Sequence, residues 1–457
     1  MSGEYVIQDP DHKYAIEFIR RMRSKFGWRA VCFYTSPSGP SRNGPPELLS
    51  SEWGSANYHV RPGGLPSFIA HLAEHHDIRA VIPYKEEAVL NACEIATGLG
   101  LSWAQPEVVP LFRNKVAFKT HLAKVDPSIR LNQFNLVRSA DEALKMIEES
   151  SVDRFVLKPV DGGGNYGIGI FDSPVEPETI RQFWLDQNKT EMIWEEFIGG
   201  TEYQCNGQVD GSGHIQILNL SRLIYQSVNG IENIRLRNEQ VKYSDSKFTS
   251  IADYVTRIIK ATGLRRNPFH IEVKFDDHGP CLIECAARII GCDEATQISK
   301  MHHGNVDAFD LAAQGYATAE PYPESRGLID WTKYDSKLFY SMWGVSTCWT
   351  RIYSWTGVAQ VEAMPEFMGW TVKPFIGQKL RPTLHLSAFP YVVTLQGPTD
   401  EALRQAAHRI ERTLKWNQAA PTPLTRVVMG MARMIRITKS VLTRLRTLRT
   451  PRLTSFG

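Results

Sequence analysis

Residues 154–172, RFVLKPVDGGGNYGIGIFD, run as an apolar strand ending in Lys-Pro, a glycine-rich loop and a second apolar strand. Gly162, Gly163, Gly164 and Gly167 permit positive φ and close backbone approach, so successive N–H groups can wrap the β- and γ-phosphates of a nucleotide while Lys158 supplies a fixed cation. A strand follows the loop, not a helix, and no Gly-Lys-Ser/Thr closes it; this separates it from the Walker A loop and from the dinucleotide fingerprint. Further on, FHIEVKFDDHGPCLIECAARIIG at 269–291 reads as two strands joined by a tight turn at about 277–279. Such a hairpin sets Glu272 beside Glu284. Adjacent carboxylates in apolar strands repel unless a cation compensates, and Mg2+ carried by a nucleotide is the natural one. Arg288, four residues beyond Glu284, is close enough to meet an anionic reaction centre.

Two more features join this set. Lys115 opens a helical pattern with Phe118, Lys119 and Leu122 and can reach a phosphate, although a single helical lysine is ordinarily just solvated. MIWEEFIGGTEY at 192–203 is a strand that breaks at Gly199-Gly200 and resumes. Its open backbone can meet the edge of an adenine, with Glu195 accepting from the amino group and Glu202 bonding the ribose; an ordinary hairpin with surface carboxylates is the plain alternative.

These parts need strands and loops to hold them, and the pattern along the chain supplies them. Apolar runs at 5–7, 30–34 and 80–83 alternate with helical patterns at 16–26, 65–75 and 87–97, the rhythm of a small doubly wound domain. The Ser-, Gly- and Pro-rich stretch 36–46 interrupts it as a loop. From 327 short strands return, 388–395 leads into a helix at 400–414, and Asp400 is its expected cap. The segment 221–243 is expected to be a loop shaping a substrate pocket. Trp331, Trp343, Trp349, Trp355 and Trp370 are expected in a core or subunit contact rather than a substrate wall.

In this order, Lys115, Lys158 with its glycine loop, Glu195 and Glu202, Glu272 and Glu284, and Arg288 resemble the ATP-grasp superfamily over nearly the whole chain. Within it, the sequence is most similar to L-amino-acid ligases that form dipeptides or related amides. The resemblance implies an α/β and α+β chain of four parts: a doubly wound pre-ATP-grasp domain at 1–108, the ATP-binding domain at 109–326, a closing subdomain at 327–420 and a basic tail at 421–457. It implies ATP and Mg2+, or Mn2+, as cofactors. Lys115 and Lys158 would hold phosphates, Gly162 to Gly167 would cover the γ-phosphate, and Glu195, Phe197 and Ile198 would contact adenine. Glu202 would hold ribose, Glu272 and Glu284 the metal, and Arg288 the tetrahedral intermediate. One departure stands out, because Ala286 replaces the Asn that many members carry and so removes a ligand of a second metal. The implied reaction joins a small carboxylate to an amine, amino acids foremost, through an acyl phosphate with release of ADP and phosphate. A homodimer is implied as well. Carboxylation, acid–thiol ligation and non-catalytic nucleotide binding are the alternatives the same site would serve.

Composition sets limits on this reading. The 457 residues suffice for two or three cores. The start lacks a basic end followed by an apolar run, and no stretch reaches the length of a membrane span, so a soluble cytoplasmic protein is expected. Seven cysteines without a CxxC pair fit reduced thiols. Eight Arg and Lys with no acid lie in 424–457, against a formal net charge of +3, so the remainder carries −5 and does not suggest a nucleic-acid surface. Val427, Met431, Met434, Ile435, Val441, Leu442, Leu445 and Leu448 fall on one helical face of that end. It reads as a basic amphipathic helix, set against an anionic membrane surface, an acidic partner or the body of the protein.

Overall fold

The computed structural model describes the chain apart from residues 1–2, 11–12, 36–52, 102, 104, 165, 292–293, 303–305, 319, 321–329, 386–387, 418–453 and 457. The expected loop at 36–46 and nearly all of the expected tail helix lie outside the described residues. No described helix is long and apolar enough to cross a membrane.

The first sheet is parallel, with β1 (Glu4–Gln8) between β2 (Arg29–Tyr34) and β4 (Ile78–Ile82), and β3 (Gly54–Val60) outside β2. β1 and β2 are apolar almost without interruption because helices cover both faces. One of the covering helices comes from far away in sequence: Ala308–Ala317 packs Phe309 on Phe18, with ring centroids 5.0 Å apart. The core of the first hundred residues is therefore completed by a segment that follows the hairpin carrying Glu272 and Glu284, which a linear reading does not reveal.

The basic tail at 421–457 needs correction at its far end. Thr454–Phe456 is a strand that pairs in parallel with β3, and Phe456 packs against Tyr58, Phe68 and His71. Three residues carry no readable period, and the partner strand lies some four hundred positions away, so no local signal announces it.

Two further sheets form the walls of a cleft. The smaller has the order β5 (Phe134–Val137), β8 (Met192–Glu196), β6 (Arg154–Pro159), β7 (Gly169–Asp172). The larger is antiparallel and runs β13 (Gly279–Ala286), β12 (Pro268–Asp276), β9 (Thr201–Val209), β10 (Ile215–Val228), β11 (Ile231–Gln240), β14 (Leu338–Trp343), then Val392–Gly397 and Phe367–Val372. The segment after 327 thus extends this sheet. Its helix is Asp400–Thr413, and the cap is Thr399, whose hydroxyl accepts from the Ala402 N–H; Asp400 is the first residue inside. Residues 221–243, expected to be a loop, are mostly β10 and β11, turned at Asn229-Gly230 with φ of 53° and 80°. That pair is a type I′ hairpin signal, and the flanking strands are too polar to show an apolar run.

Strand alternation decides what faces the cleft. On β12, Phe269, Ile271 and Val273 bury in the core with the helix Ser246–Thr262, which leaves His270, Glu272 and Lys274 on the opposite face. On β9, Tyr203 and Cys205 face that core, and Glu202, Gln204 and Asn206 share the cleft face. Cys32, Cys93, Cys205, Cys281 and Cys285 are buried and unbridged.

Candidate nucleotide and ligation site

A cavity of about 520 Å³ opens between the two sheets, within the size range of small-molecule sites. Lys158, Gly164, Glu195, Phe197, Ile198, Glu202, Glu272, Glu284 and Arg288 all border it. The chain crosses from the small sheet to the large one at Gly199-Gly200. Gly200 has φ of +78°, and a Cβ there would lie 2.2 Å from the carbonyl oxygen of Phe275. Gly200→Ala should therefore destabilise the protein by at least about 2 kcal/mol. Gly199→Ala, whose Cβ meets nothing within 4 Å, is the control. Equal denaturation midpoints for the two variants would contradict this account.

The acidic pair is brought together by a bulge as well as by the turn. Asp276 pairs with Gly279 across a two-residue turn, a register that alone would set Glu272 opposite Ile283; a bulge between Glu272 and Val273 shifts the pairing by one residue, so that Glu272 faces Glu284. Arg235 Nη2 donates to Glu272 Oε1 at 3.1 Å, and His270 Nε2 lies 3.5 Å from the same oxygen, which leaves Oε2 to another cation. Burial opposes ionisation of Glu272, but His270 and Arg235 outweigh it and hold the carboxyl below its usual range. Glu284 Oε1 lies 3.4 Å from Lys115 Nζ. Among the described residues no cluster of three or more His, Cys, Asp and Glu side chains converges as a metal site. A Mg2+ ion here would have two protein carboxylates and would depend on phosphate oxygens for the rest of its shell, which suits a metal delivered with a nucleotide. Ala286 borders the same cavity and adds no ligand.

The glycine loop joins β6 to β7, with Gly164 and Gly167 at φ of 65° and 69°. Gly164 borders the cavity, whereas Gly162, Gly163 and Gly167 are set back from it. Lys115 Nζ donates to the carbonyl of Gly162 at 2.7 Å, tying the base of the loop to the helix Lys115–Val125. At the tip, Tyr166 meets His385 Nδ1 at 2.8 Å, so the loop touches the segment beyond 327.

Glu195 has a different place from the one expected. It is buried, one oxygen accepts from Lys119, and the other lies 2.5 Å from Lys158 Nζ. Burial would raise its carboxyl, but the two ammonium groups outweigh that and bring it down to about 2. Both oxygens are thus engaged by lysines, and the adenine-amino acceptor expected of Glu195 is corrected to the counter-ion that fixes Lys158. Phe197 and Ile198 still border the cavity. Glu202 accepts from the Tyr225 hydroxyl at 2.8 Å, and burial together with the charge of Glu272 raises its carboxyl.

Several contributors had escaped the sequence. Lys119 is buried at the centre of the lysine–glutamate triad, and Arg235, Tyr225, Gln204 and Lys274 border the cavity. Glu86, in the turn after β4, accepts from both Arg288 and Arg113 and anchors the first unit to the site. Trp343, expected in a core, is buried and also forms part of the cavity wall. Lys274 and Gln204 had a local signal, since they alternate with Glu272 and Glu202 on their strands.

Residues 153–297 match the ATP-grasp domain, and the chain has the ATP-grasp fold. It is similar to the L-amino acid ligase of Bacillus licheniformis, with a TM-score of 0.72 and 16% identity over 92% of this chain and 99% of that one. It is also similar to phosphoribosylglycinamide synthetase of Anaerococcus prevotii, with a TM-score of 0.64 and 12% identity over 92% and 100%. In sequence it is 26% identical over 259 residues to dapdiamide A synthase of Enterobacter agglomerans, an alignment that takes in 53% of this chain and 60% of that relative.

Proposed function

We propose that this chain is an ATP-dependent carboxylate–amine ligase that forms an amide through an acyl phosphate and releases ADP and phosphate. The observation that carries the reading is the in-register pair Glu272 and Glu284, facing one cavity with Lys158 and Arg288 beneath a glycine loop. The likeness to an amino acid ligase and to dapdiamide A synthase supports amino acids or related small molecules as substrates. In this reading Lys115 and Lys158 hold phosphates, the loop from Gly162 to Gly167 covers the γ-phosphate, Phe197 and Ile198 contact adenine, and Glu202 holds the ribose. Glu272 and Glu284 would hold Mg2+, or Mn2+, which supplies charge neutralisation to the phosphates when bound. Arg288 steadies the negative charge that develops as the amine attacks the acyl carbon.

The arrangement suits the chemistry, because phosphoryl transfer asks mainly for positioning and neutralisation and no nucleophilic side chain is needed. The carboxylate oxygen bonds to the γ-phosphorus as the bond to ADP breaks. The amine nitrogen then bonds to the acyl carbon, phosphate leaves, and the nitrogen gives up a proton. A closed loop keeps water from the mixed anhydride. A cytoplasmic homodimer belongs to the same reading, and sedimentation at micromolar concentration checks the pairing.

ADP release that requires both an acid and an amine is the expected result when pairs of amino acids and small carboxylates are screened. ADP release with bicarbonate or a thiol in place of the amine would instead indicate carboxylation or thioester formation. AMP as product would exclude this reaction class.

A further inference from the structure

We infer that Gln204 is a specificity-determining residue whose amide oxygen receives an N–H donor carried beside the carboxylate of the acyl substrate, so that this substrate is an amino acid rather than a plain carboxylic acid. The inference rests on the ligase reading above, which already favours amino acids, and adds to it the residue that selects the acyl substrate.

Gln204 lies on the cleft face of β9, in register with Glu272 on one side and with Ser221 of β10 on the other. It has no solvent exposure, yet it borders the cavity. Its Nε2 donates to Glu294 Oε2 at 2.5 Å. A carboxylate can only accept, so this contact fixes which end of the amide is which; the flipped amide would set two oxygens against each other. Neighbours hold Glu294 in place. Asn238 Nδ2 donates to the same oxygen at 2.6 Å, and the Ser221 hydroxyl donates to the other.

The consequence is an acceptor without a donor. Gln204 Oε1 is buried and has no hydrogen-bond partner. A buried unsatisfied amide oxygen costs on the order of 1–3 kcal/mol, and such an atom on a side chain that borders a binding cavity points to a ligand group. Asn238 Oδ1 is also unpartnered, but Asn238 does not border the cavity, so only Gln204 can present its oxygen to a bound molecule.

Position narrows the ligand. A carboxylate awaiting phosphorylation must sit with the cations and acidic pair at the Glu272 end of this row, where Arg235 and Arg288 also border the cavity. Gln204 is one strand further across, roughly 4.8 Å on. That step matches the distance from a carboxylate to an amino group one carbon away, once a hydrogen bond is added. An α-amino acid fits both ends, whereas its des-amino counterpart leaves Oε1 unpaired.

Hydroxylamine, which traps acyl phosphates as hydroxamates, tests this without knowledge of the natural amine. Alanine and propionate, and leucine and 4-methylpentanoate, are compared by kcat/KM with ATP and Mg2+ on the wild-type chain and on Gln204→Met. The wild type should favour the amino acid by about ten- to a hundredfold, the worth of one hydrogen bond from a charged donor, and the variant should bring the ratio close to one with the KM for ATP unchanged. If the Met variant does not fold, Gln204→Asn keeps an amide in the interior and draws the acceptor back by one methylene, with the same collapse expected. An unchanged ratio in the variant that folds, or a wild type indifferent to the amino group, overturns the role of Gln204 while leaving the ligase reading intact. Absence of both ADP and hydroxamate with every acid sinks the ligase reading, and Gln204 with it.

Discussion

Glu284→Ala and Arg288→Ala should each lower ADP-forming turnover by at least about a hundredfold, the usual cost of losing one preorganised charge at a reacting centre. The two losses should differ in kind. Glu284 faces Glu272 across the hairpin, so its removal leaves a single carboxylate to hold a divalent ion, and the Mg2+ concentration for half-maximal rate should rise. Lys115 loses a counter-ion in the same variant but keeps its bond to the Gly162 carbonyl, so the loop base should stay in place. Arg288 is held by Glu86, which Arg113 also grips. Burial opposes the charge on Glu86, and the two guanidinium groups outweigh it and depress the carboxyl. Arg288→Ala should therefore reduce kcat with the Mg2+ requirement unchanged. Near-normal turnover in both variants would remove the acidic hairpin from the chemistry.

The legible parts of this site are those in which short-range geometry decides the outcome. Glu272 and Glu284 could be brought together from sequence because a short turn closes the hairpin and strand period fixes the face, while the bulge beside Val273 that completes their pairing carries no local signal. The glycine loop was readable because positive φ at Gly164 and Gly167 demands glycine. Arg235 and Lys119 were not, since each depends on a partner in another element: β11 against Glu272, and a helix against Glu195. Lys119 even lies among Phe118 and Leu122 on a helix, where a lysine normally reaches water, and the carboxylate of Glu195 on β8 together with the amide oxygen of Asn132 makes its burial tolerable. The hairpin of β10 and β11 was mistaken for a loop although Asn229-Gly230 marks its turn, because buried polar residues such as Asn219, Ser221, Asn238 and Gln240 hide the apolar pattern of a strand. Ser221 and Asn238 meet Gln204 of the cavity wall through Glu294, so the sequence was least readable where polar side chains are buried against one another behind the cavity.

Glu195→Ala should be among the most destabilising single substitutions in the protein, because it strands two buried ammonium groups. Lys119 and Lys158 each expose only a few per cent of their surface. Burial depresses the Lys119 ammonium despite Glu195, while at Lys158 the attraction of Glu195 and Glu284 outweighs burial and raises it. Removing one partner of a buried ion pair costs about 3–5 kcal/mol, and two unpaired partners should place this variant at the upper end. The same triad gives the fold an acid limit. The Glu195 carboxyl is depressed from its ordinary 4.5 to about 2, so its stabilisation is complete above pH 4.5 and is lost as the pH falls through about 2. By linkage that difference corresponds to about 3 kcal/mol. Thermal unfolding of the wild type should therefore fall steeply between those two pH values, and Glu195→Gln, already weakened at neutral pH, should show a shallower fall across the same window. Parallel curves for the two proteins would mean that Glu195 does not carry its charge in the folded state. Lys119→Met on the Glu195→Gln background should recover part of the loss, since a neutral amide balances neither ammonium and removing one relieves their repulsion, whereas Lys158→Met should recover stability without turnover because Lys158 is the lysine that borders the cavity.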